Sequence, residues 1–191
     1  MARAGGPSRR AALVGPAALV LAATASACAA QTAGAGTLVA YFSRSGNTRV
    51  IAGQLHRELK ADLFEIAPRE PYPEDYEEQV RLATRERDAG FRPALKAPAP
   101  DIAGYQTLLL CFPIWGETAP PIIRSFLAAH DLAGKTIRPI ITHGGYGVGS
   151  APAVVASHAR GARVLPPFVM EADQERRTMT TVRGWMAEMQ R

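Results

Sequence analysis

The segment Thr37–Arg49, TLVAYFSRSGNTR, constrains the fold more than any other part of the chain. Its first six residues are typical of a short buried strand, and a loop of small polar residues follows directly. A helix is predicted to begin at Asn47 or Thr48. Such a loop gathers backbone N–H groups at the positive end of a helix, which suits a phosphate group. The alternative is an ordinary strand-to-helix turn that serine and asparagine side chains cap.

This loop lacks the two common nucleotide-binding motifs. Gly46 is its one glycine, so the loop is not G-x-G-x-x-G, and no Gly-Lys-Ser/Thr follows it. These absences argue against nucleoside triphosphates and ordinary dinucleotides as ligands of the loop.

The first 36 residues predict a leader that is not part of the folded core. They contain Arg3, Arg9 and Arg10 but no acidic residue, then an apolar run at 11–27 that ends in small residues before Cys28. This order describes a signal peptide, and the arginine pair resembles a twin-arginine export signal, with a general secretory leader as the alternative. We therefore expect residues 1–36 to be signal peptide and linker, residues 37–191 to be the folded domain, and the mature protein to be exported and extracytoplasmic.

Cys28 is a candidate site for a lipid anchor, although Ala25 stands where a lipobox normally has leucine. Membrane attachment is expected only through that anchor. The chain has 22 Lys+Arg and 17 Asp+Glu, and three of the basic residues lie in the leader, which leaves 19 against 17 in the predicted domain. A domain so close to neutral, without a basic run interleaved with aromatic residues, argues against a nucleic-acid partner. Only Cys111 remains beyond the leader, so neither a disulfide within the domain nor a cysteine metal site is expected.

Strand-type and helix-type segments alternate along the rest of the domain. Strands are predicted at 37–42, 61–67, 107–112, 135–142 and 163–165, and residues 168–170 continue the last strand after two prolines. Helices are predicted at 47–60, at 74–88, from 120, at 150–160 and from Asp173. This alternation predicts an α/β protein with a doubly wound, five-stranded parallel sheet in the order 2-1-3-4-5.

Four finer expectations concern these elements. The second strand should lie at an edge of the sheet, and Pro139 should leave a bulge or an unpaired position in the fourth. The helix at 74–88 should be a solvated charged helix with a narrow apolar stripe. That stripe is formed by Tyr76, Val80 and Ala83. In the last helix, the residues that should pack in the core are Val182, Trp185, Met186 and Met189.

Two further ligand-type loops follow the third and fourth strands. Because the carboxyl ends of parallel strands share one edge of the sheet, all three loops should meet there. Trp115, flanked by proline and glycine, either stacks on a planar ring or covers the rim of the core. His143 is either a proton donor or a side chain held by backbone hydrogen bonds. A phosphate loop, a tryptophan and a glycine-rich loop suit a flat ring with one phosphate, and FMN is the cofactor of that shape.

Four segments in this order resemble the flavodoxin family: TLVAYFSRSGNTR, FPIWGETAPPIIRSFL, DLAGKTI and THGGYGVGS. The second and third loops resemble the branch that reads Pro-Ile-Trp and Thr-His-Gly-Gly. The resemblance extends from about Thr37 to the end, and it implies a flavodoxin-like fold with noncovalently bound FMN. It differs in two respects, since electron carriers of that family are usually strongly acidic, and the tyrosine that covers the outer flavin face has only Tyr146 as a candidate here.

The resemblance also assigns roles to three groups of residues. The phosphate would be held by Ser43, Arg44, Ser45, Gly46, Asn47 and Thr48. The isoalloxazine would be flanked by Pro113, Ile114, Trp115 and Gly116, and its pyrimidine side would be contacted by Thr142, His143, Gly144, Gly145, Tyr146 and Gly147. No catalytic side chain and no metal ligand is expected.

These observations predict an exported FMN protein that exchanges electrons with a redox partner protein or a small donor or acceptor. One alternative is an NAD(P)H-dependent quinone or flavin reductase on the same fold. A second alternative is a module that has lost FMN and binds a partner.

Overall fold

The computed structural model describes residues 36–171 and 175–189. The strands are β1 (Thr37–Tyr41), β2 (Asp62–Glu65), β3 (Thr107–Pro113), β4 (Thr136–His143), β5 (Arg163–Val164) and β6 (Phe168–Glu171). The helices are α1 (Asn47–Leu59), α2 (Tyr76–Asp88), α3 (Pro121–Ala129), α4 (Ala151–His158) and α5 (Glu175–Met189), with one 3-10 turn at Ile102–Gly104. The start predicted for the last helix, Asp173, lies outside the described residues. No helix within 36–171 or 175–189 is both long and apolar enough to cross a membrane.

The strands form one parallel sheet in the order β2-β1-β3-β4-β5. β6 also pairs with β4, so β5 and β6 occupy one sheet position in two pieces. The predicted α/β fold, its strand order and the edge position of the second strand are confirmed. This order places the carboxyl ends of β1 and β3 side by side, which is the switch point where ligands bind in open α/β sheets.

Pro139 lies in β4 opposite Leu110 of β3. The carbonyls of Lys135 and Ile137 accept hydrogen bonds from the outer strand. Because the backbone polar groups of every second strand residue point to the same side, the Pro139 nitrogen also faces the outer strand. Residues 165–167 interrupt the outer strand there, since β5 ends at Val164 and β6 begins at Phe168. The missing N–H of the proline therefore faces a gap in the pairing, and an unpaired position was the expectation for this residue.

The core has two parts because successive strand residues point to opposite faces of the sheet. One part contains Leu38, Leu110 and Phe112 of the sheet with Ile122 and Phe126 of α3. The other part lies against α1 and α5 and is formed by Val39, Leu109, Ile51, Leu55, Val182 and Met186. Truncating one of these fully buried leucines to alanine is expected to cost about 2–5 kcal/mol. Met189 was wrongly placed in the core, because it stands on the last turn of α5 and is 37% exposed.

The apolar stripe predicted for α2 is wrong in two of its three positions. Asp75 caps the helix by accepting a hydrogen bond from the Glu78 N–H at 2.8 Å. Ala83 is buried, but Tyr76 is 67% and Val80 41% exposed. The helix packs on α3 and on the loops at the carboxyl edge instead of lying flat on the sheet, so this part of its surface faces a cavity.

Candidate functional site

Loop 1, residues 42–46, connects β1 to α1. Gly46 occupies the N-cap position of α1 with φ 97°, a left-handed conformation that favours glycine, and no side chain caps the helix. The Ser43 hydroxyl accepts a hydrogen bond from the Gly46 N–H at 3.1 Å. The first turn of α1 contains no acidic residue. The alternative of a turn capped by serine and asparagine side chains is therefore wrong, and the first N–H groups of a 13-residue helix remain available to an anion.

Loop 2, residues 113–118, is a tight turn that follows β3. The N–H of Trp115 donates to the Thr118 carbonyl at 3.0 Å, and the N–H of Thr118 donates back to the Trp115 carbonyl at 3.3 Å. Gly116 and Glu117 both have positive φ, 55° and 62°. The N–H of Ile114 donates to the Thr142 carbonyl at 2.8 Å, so the start of the loop is fixed to the end of β4.

Trp115 belongs to an aromatic cluster with Phe42 and Tyr72. Its ring lies 5.1 Å from that of Phe42 and 4.9 Å from that of Tyr72, with interplanar angles of 76° and 81°. Such edge-to-face pairs add about 0.5–1.5 kcal/mol each beyond area burial. The half-buried indole therefore covers the rim of the core, which is one of the two roles expected for it.

The Tyr72 hydroxyl connects this aromatic cluster to α2. It donates a hydrogen bond to Glu86 Oε2 at 2.9 Å. Burial, with help from the Glu86 charge, raises the pKa of Tyr72 well above its usual range. Burial also raises the pKa of Glu86, although the hydrogen bond from Tyr72 partly counteracts this effect. Tyr72 therefore stays a donor at every ordinary pH.

Loop 3, residues 143–149, connects β4 to α4 and is held by a histidine. The Nδ1 atom of His143 accepts hydrogen bonds from the N–H groups of Gly145 at 3.0 Å and Gly147 at 3.3 Å. An Nδ1 that accepts two bonds carries no proton, so the proton of the neutral ring is on Nε2. Of the two roles expected for His143, the structure shows the backbone-held one. Tyr146, at the tip of this loop, is 89% exposed.

Side chains and backbone groups bind the three loops to one another. Thr48 at the start of α1 and Thr142 at the end of β4 share a buried hydrogen bond of 2.9 Å between their hydroxyls. Ser150 joins loop 3 to loop 2, because its N–H donates to the Glu117 carbonyl at 2.9 Å and its hydroxyl to Thr118 Oγ1 at 2.8 Å. The predicted site residues thus lie on three connected loops at one edge of the sheet.

A cavity of about 300 Å³, here called the α2 cavity, opens between loop 1, loop 2 and α2. The predicted site residues that line it are Arg44, Ser45, Pro113, Ile114, Trp115 and Gly116. Loop 3 does not contribute to its lining. Several residues of α2 do, and they were not among the predicted site residues: Tyr76, Gln79, Val80, Thr84 and Arg87. The available signal was two large apolar residues on an otherwise charged helix, which had been interpreted as part of a narrow apolar stripe.

Comparison with known proteins identifies the family of this chain. Residues 36–189 match the family described as Flavodoxin.

The chain belongs to the flavodoxin family.

Solved structures similar to this flavodoxin-family chain include two from Bacteroides species. A presumed flavoprotein from Bacteroides uniformis is 29% identical with a TM-score of 0.71, and the match covers 81% of this chain and 99% of that one. One from Bacteroides eggerthii is 29% identical with a TM-score of 0.67, covering 79% and 95%. A flavoprotein in complex with FMN from Lactobacillus acidophilus is 21% identical with a TM-score of 0.64, covering 75% and 97%, and shares the fold. No match was found among curated proteins.

Proposed function

We propose that this member of the flavodoxin family binds FMN noncovalently and transfers electrons. The observation that carries the proposal is the uncapped N-terminus of α1, which stands beside loops 2 and 3 at the switch point of the sheet. Membership of the family and the FMN complex of the Lactobacillus acidophilus flavoprotein, which has the same fold, support it.

The residues present fit a phosphorylated flavin. The N–H groups of Asn47 and Thr48 and the hydroxyls of Ser43 and Ser45 form a donor set without a carboxylate, which suits a phosphate dianion. Loop 2 offers the exposed Gly116 carbonyl, with Arg87 Nη1 at 3.5 Å, as an acceptor for a flavin N–H. The end of β4 and loop 3 offer the backbone of residues 142–147 to the pyrimidine side. When bound, FMN supplies one- and two-electron transfer, while the protein tunes it through loop amides and carbonyls.

The experiment that tests this proposal compares FMN with riboflavin, which differs only in lacking the phosphate. Flavin-free protein is titrated with each ligand, and binding is followed by quenching of the flavin fluorescence. FMN is expected to bind at least about a hundredfold more tightly, because charge-assisted hydrogen bonds contribute about 1.5–3 kcal/mol each. Equal affinities for FMN and riboflavin would rule out the proposed phosphate site. If neither flavin bound, the result would support the alternative of a module that has lost FMN.

We further propose that the protein is exported before it acts, on the basis of the leader in residues 1–36. Replacing Arg9 and Arg10 with lysine should trap the precursor inside the cell, since twin-arginine export reads that pair. Arg3→Lys is the matched control and should leave export unchanged. Unimpaired secretion of the double variant would refute this route. We propose that the electron-transfer partner of the protein is a redox protein or a small donor or acceptor.

A further inference from the structure

A second cavity of about 300 Å³, here called the Tyr72 cavity, shares Arg44 and Trp115 with the lining of the α2 cavity. It is enclosed by loop 1 and by the segment that follows β2. The aromatic cluster of Phe42, Tyr72 and Trp115 contributes side chains to its wall, and prolines complete the apolar part. Its volume is at the lower end of the range for small-molecule sites. An aromatic wall of this kind offers edges and faces to a planar ring.

Three cationic side chains, Arg44, Arg69 and Lys96, also line the Tyr72 cavity, and no carboxylate does. Within residues 36–171 and 175–189, the ion pairs that form involve other residues, Arg81 with Glu77 and Arg87 with Asp88. Arg44 donates to a backbone carbonyl, that of Glu74, and its guanidinium lies 5.8 Å from the centre of the Tyr76 ring. A concave surface with cations and no lining acid concentrates anions from solution.

The combination of aromatic wall and cationic residues selects among anions. An inorganic anion would satisfy the three cations but leave the aromatic surface unused. A neutral ring would cover the aromatic surface but leave the charges without partners. We propose that the Tyr72 cavity binds a small planar organic anion, an aromatic ring that bears a carboxylate or sulfonate. This inference rests on the proposed function in one respect, since it places a small electron-transfer reactant next to loops 1 and 2.

The test uses FMN-saturated protein and two ligands of the same shape, 2-naphthoate and the neutral 2-naphthamide, in calorimetric titrations. 2-Naphthoate is expected to bind about tenfold more tightly than the amide, and sodium sulfate is expected to give no measurable binding in the same range. Equal affinity for the two naphthalene ligands would overturn the proposal. Sulfate binding as tight as that of 2-naphthoate would also overturn it.

Charge variants locate the bound anion. The double variant Arg69→Gln with Lys96→Gln should weaken 2-naphthoate binding about tenfold, because each exposed ion pair contributes up to about 1 kcal/mol. Both side chains are exposed, so the variant is expected to keep the wild-type unfolding curve. Arg163→Gln, at the far edge of the sheet, is the matched control and should bind normally. Unchanged affinity in the double variant would overturn the assignment.

Competition separates this cavity from the proposed flavin site. If FMN displaces 2-naphthoate, the anion occupies the flavin site and the proposal is wrong. The flavin spectrum of the same samples reports FMN uptake independently. If the protein takes up no FMN, the proposed function fails, while titration of the flavin-free wild type and the double variant still tests the Tyr72 cavity.

Discussion

Tyr72 and Glu86 meet through a hydrogen bond of 2.9 Å that connects α2 to the aromatic cluster under loop 2. The same tyrosine ring packs edge to face against Trp115. These two contacts connect Glu86, three turns along a surface helix, to the loop that contains Gly116.

Glu86→Gln should alter the pH dependence of stability. Burial raises the pKa of Glu86 in the folded protein, so the unfolded chain releases this proton first as the pH rises. The resulting contribution to stability is complete below the ordinary glutamate pKa and is lost as the pH rises through the raised value. The variant keeps an acceptor for Tyr72 but cannot ionise. As the pH rises from the ordinary glutamate pKa through the raised one, the wild type should therefore lose free energy of unfolding relative to the variant. Urea unfolding at a series of pH values measures this difference.

A difference between the two unfolding curves that is constant with pH would contradict this assignment. Glu77→Gln is the control, because Glu77 lies on the exposed surface of the same helix and its partner Arg81 is exposed as well. That substitution should not reproduce the change.

Thr48→Val should destabilise the protein by about 1–3 kcal/mol. Thr48 and Thr142 are 1% and 2% exposed, and their hydroxyls share a hydrogen bond between the start of α1 and the end of β4. The variant therefore leaves the buried Thr142 hydroxyl without its partner. Replacing both threonines with valine removes both polar groups and should restore most of the loss. A double-mutant cycle in urea measures the coupling, and additive losses would show that the hydrogen bond contributes little.

Gly149→Ala should separate loops 2 and 3. A Cβ at this position would run into the carbonyl of Glu117, and the backbone φ of 49° is strained for alanine. We expect a loss of about 2 kcal/mol or more in the free energy of unfolding, with weaker FMN binding. Gly144→Ala, in the same loop, is the matched control for the free energy of unfolding, since an added Cβ there meets no atom within 4 Å. Similar losses for both variants would point to a general effect of alanine in this loop.

NADPH should reduce the bound flavin slowly or not at all if the protein is an electron carrier. Anaerobic stopped-flow mixing of FMN-loaded protein with NADPH measures bleaching of the flavin absorbance, and chemical reduction with dithionite provides the positive control. Rapid bleaching at a rate that saturates with NADPH would instead establish the reductase alternative.

The sheet could be predicted from the sequence because its central strands are continuous apolar runs. Leu108, Leu109 and Leu110 are buried on both sides, and a run of this kind is typical of a central parallel strand. The loops were predictable for the same reason, since their positions follow from where the buried runs stop. Strand order then brought all three loops to one edge.

The surroundings of Trp115 could not be predicted in the same way. Its partners Phe42 and Tyr72 are distant in sequence, and no periodic pattern connects them. The orientation of α2 was missed because its hydrophobic pattern shows which residues share a face but not what that face meets. Tyr76 and Val80 share one face, and that face borders the α2 cavity.

The divided outer strand also affects how the molecule behaves among its own copies. At this edge, a second chain could pair with only two residues of β5 and four residues of β6, and Pro166 and Pro167 lie between them. The opposite border, β2, offers only four residues, of which Asp62 and Glu65 are charged. Short, charged and proline-broken edges are poor templates for intermolecular pairing, so this architecture disfavours extension of the sheet by a second copy of the chain.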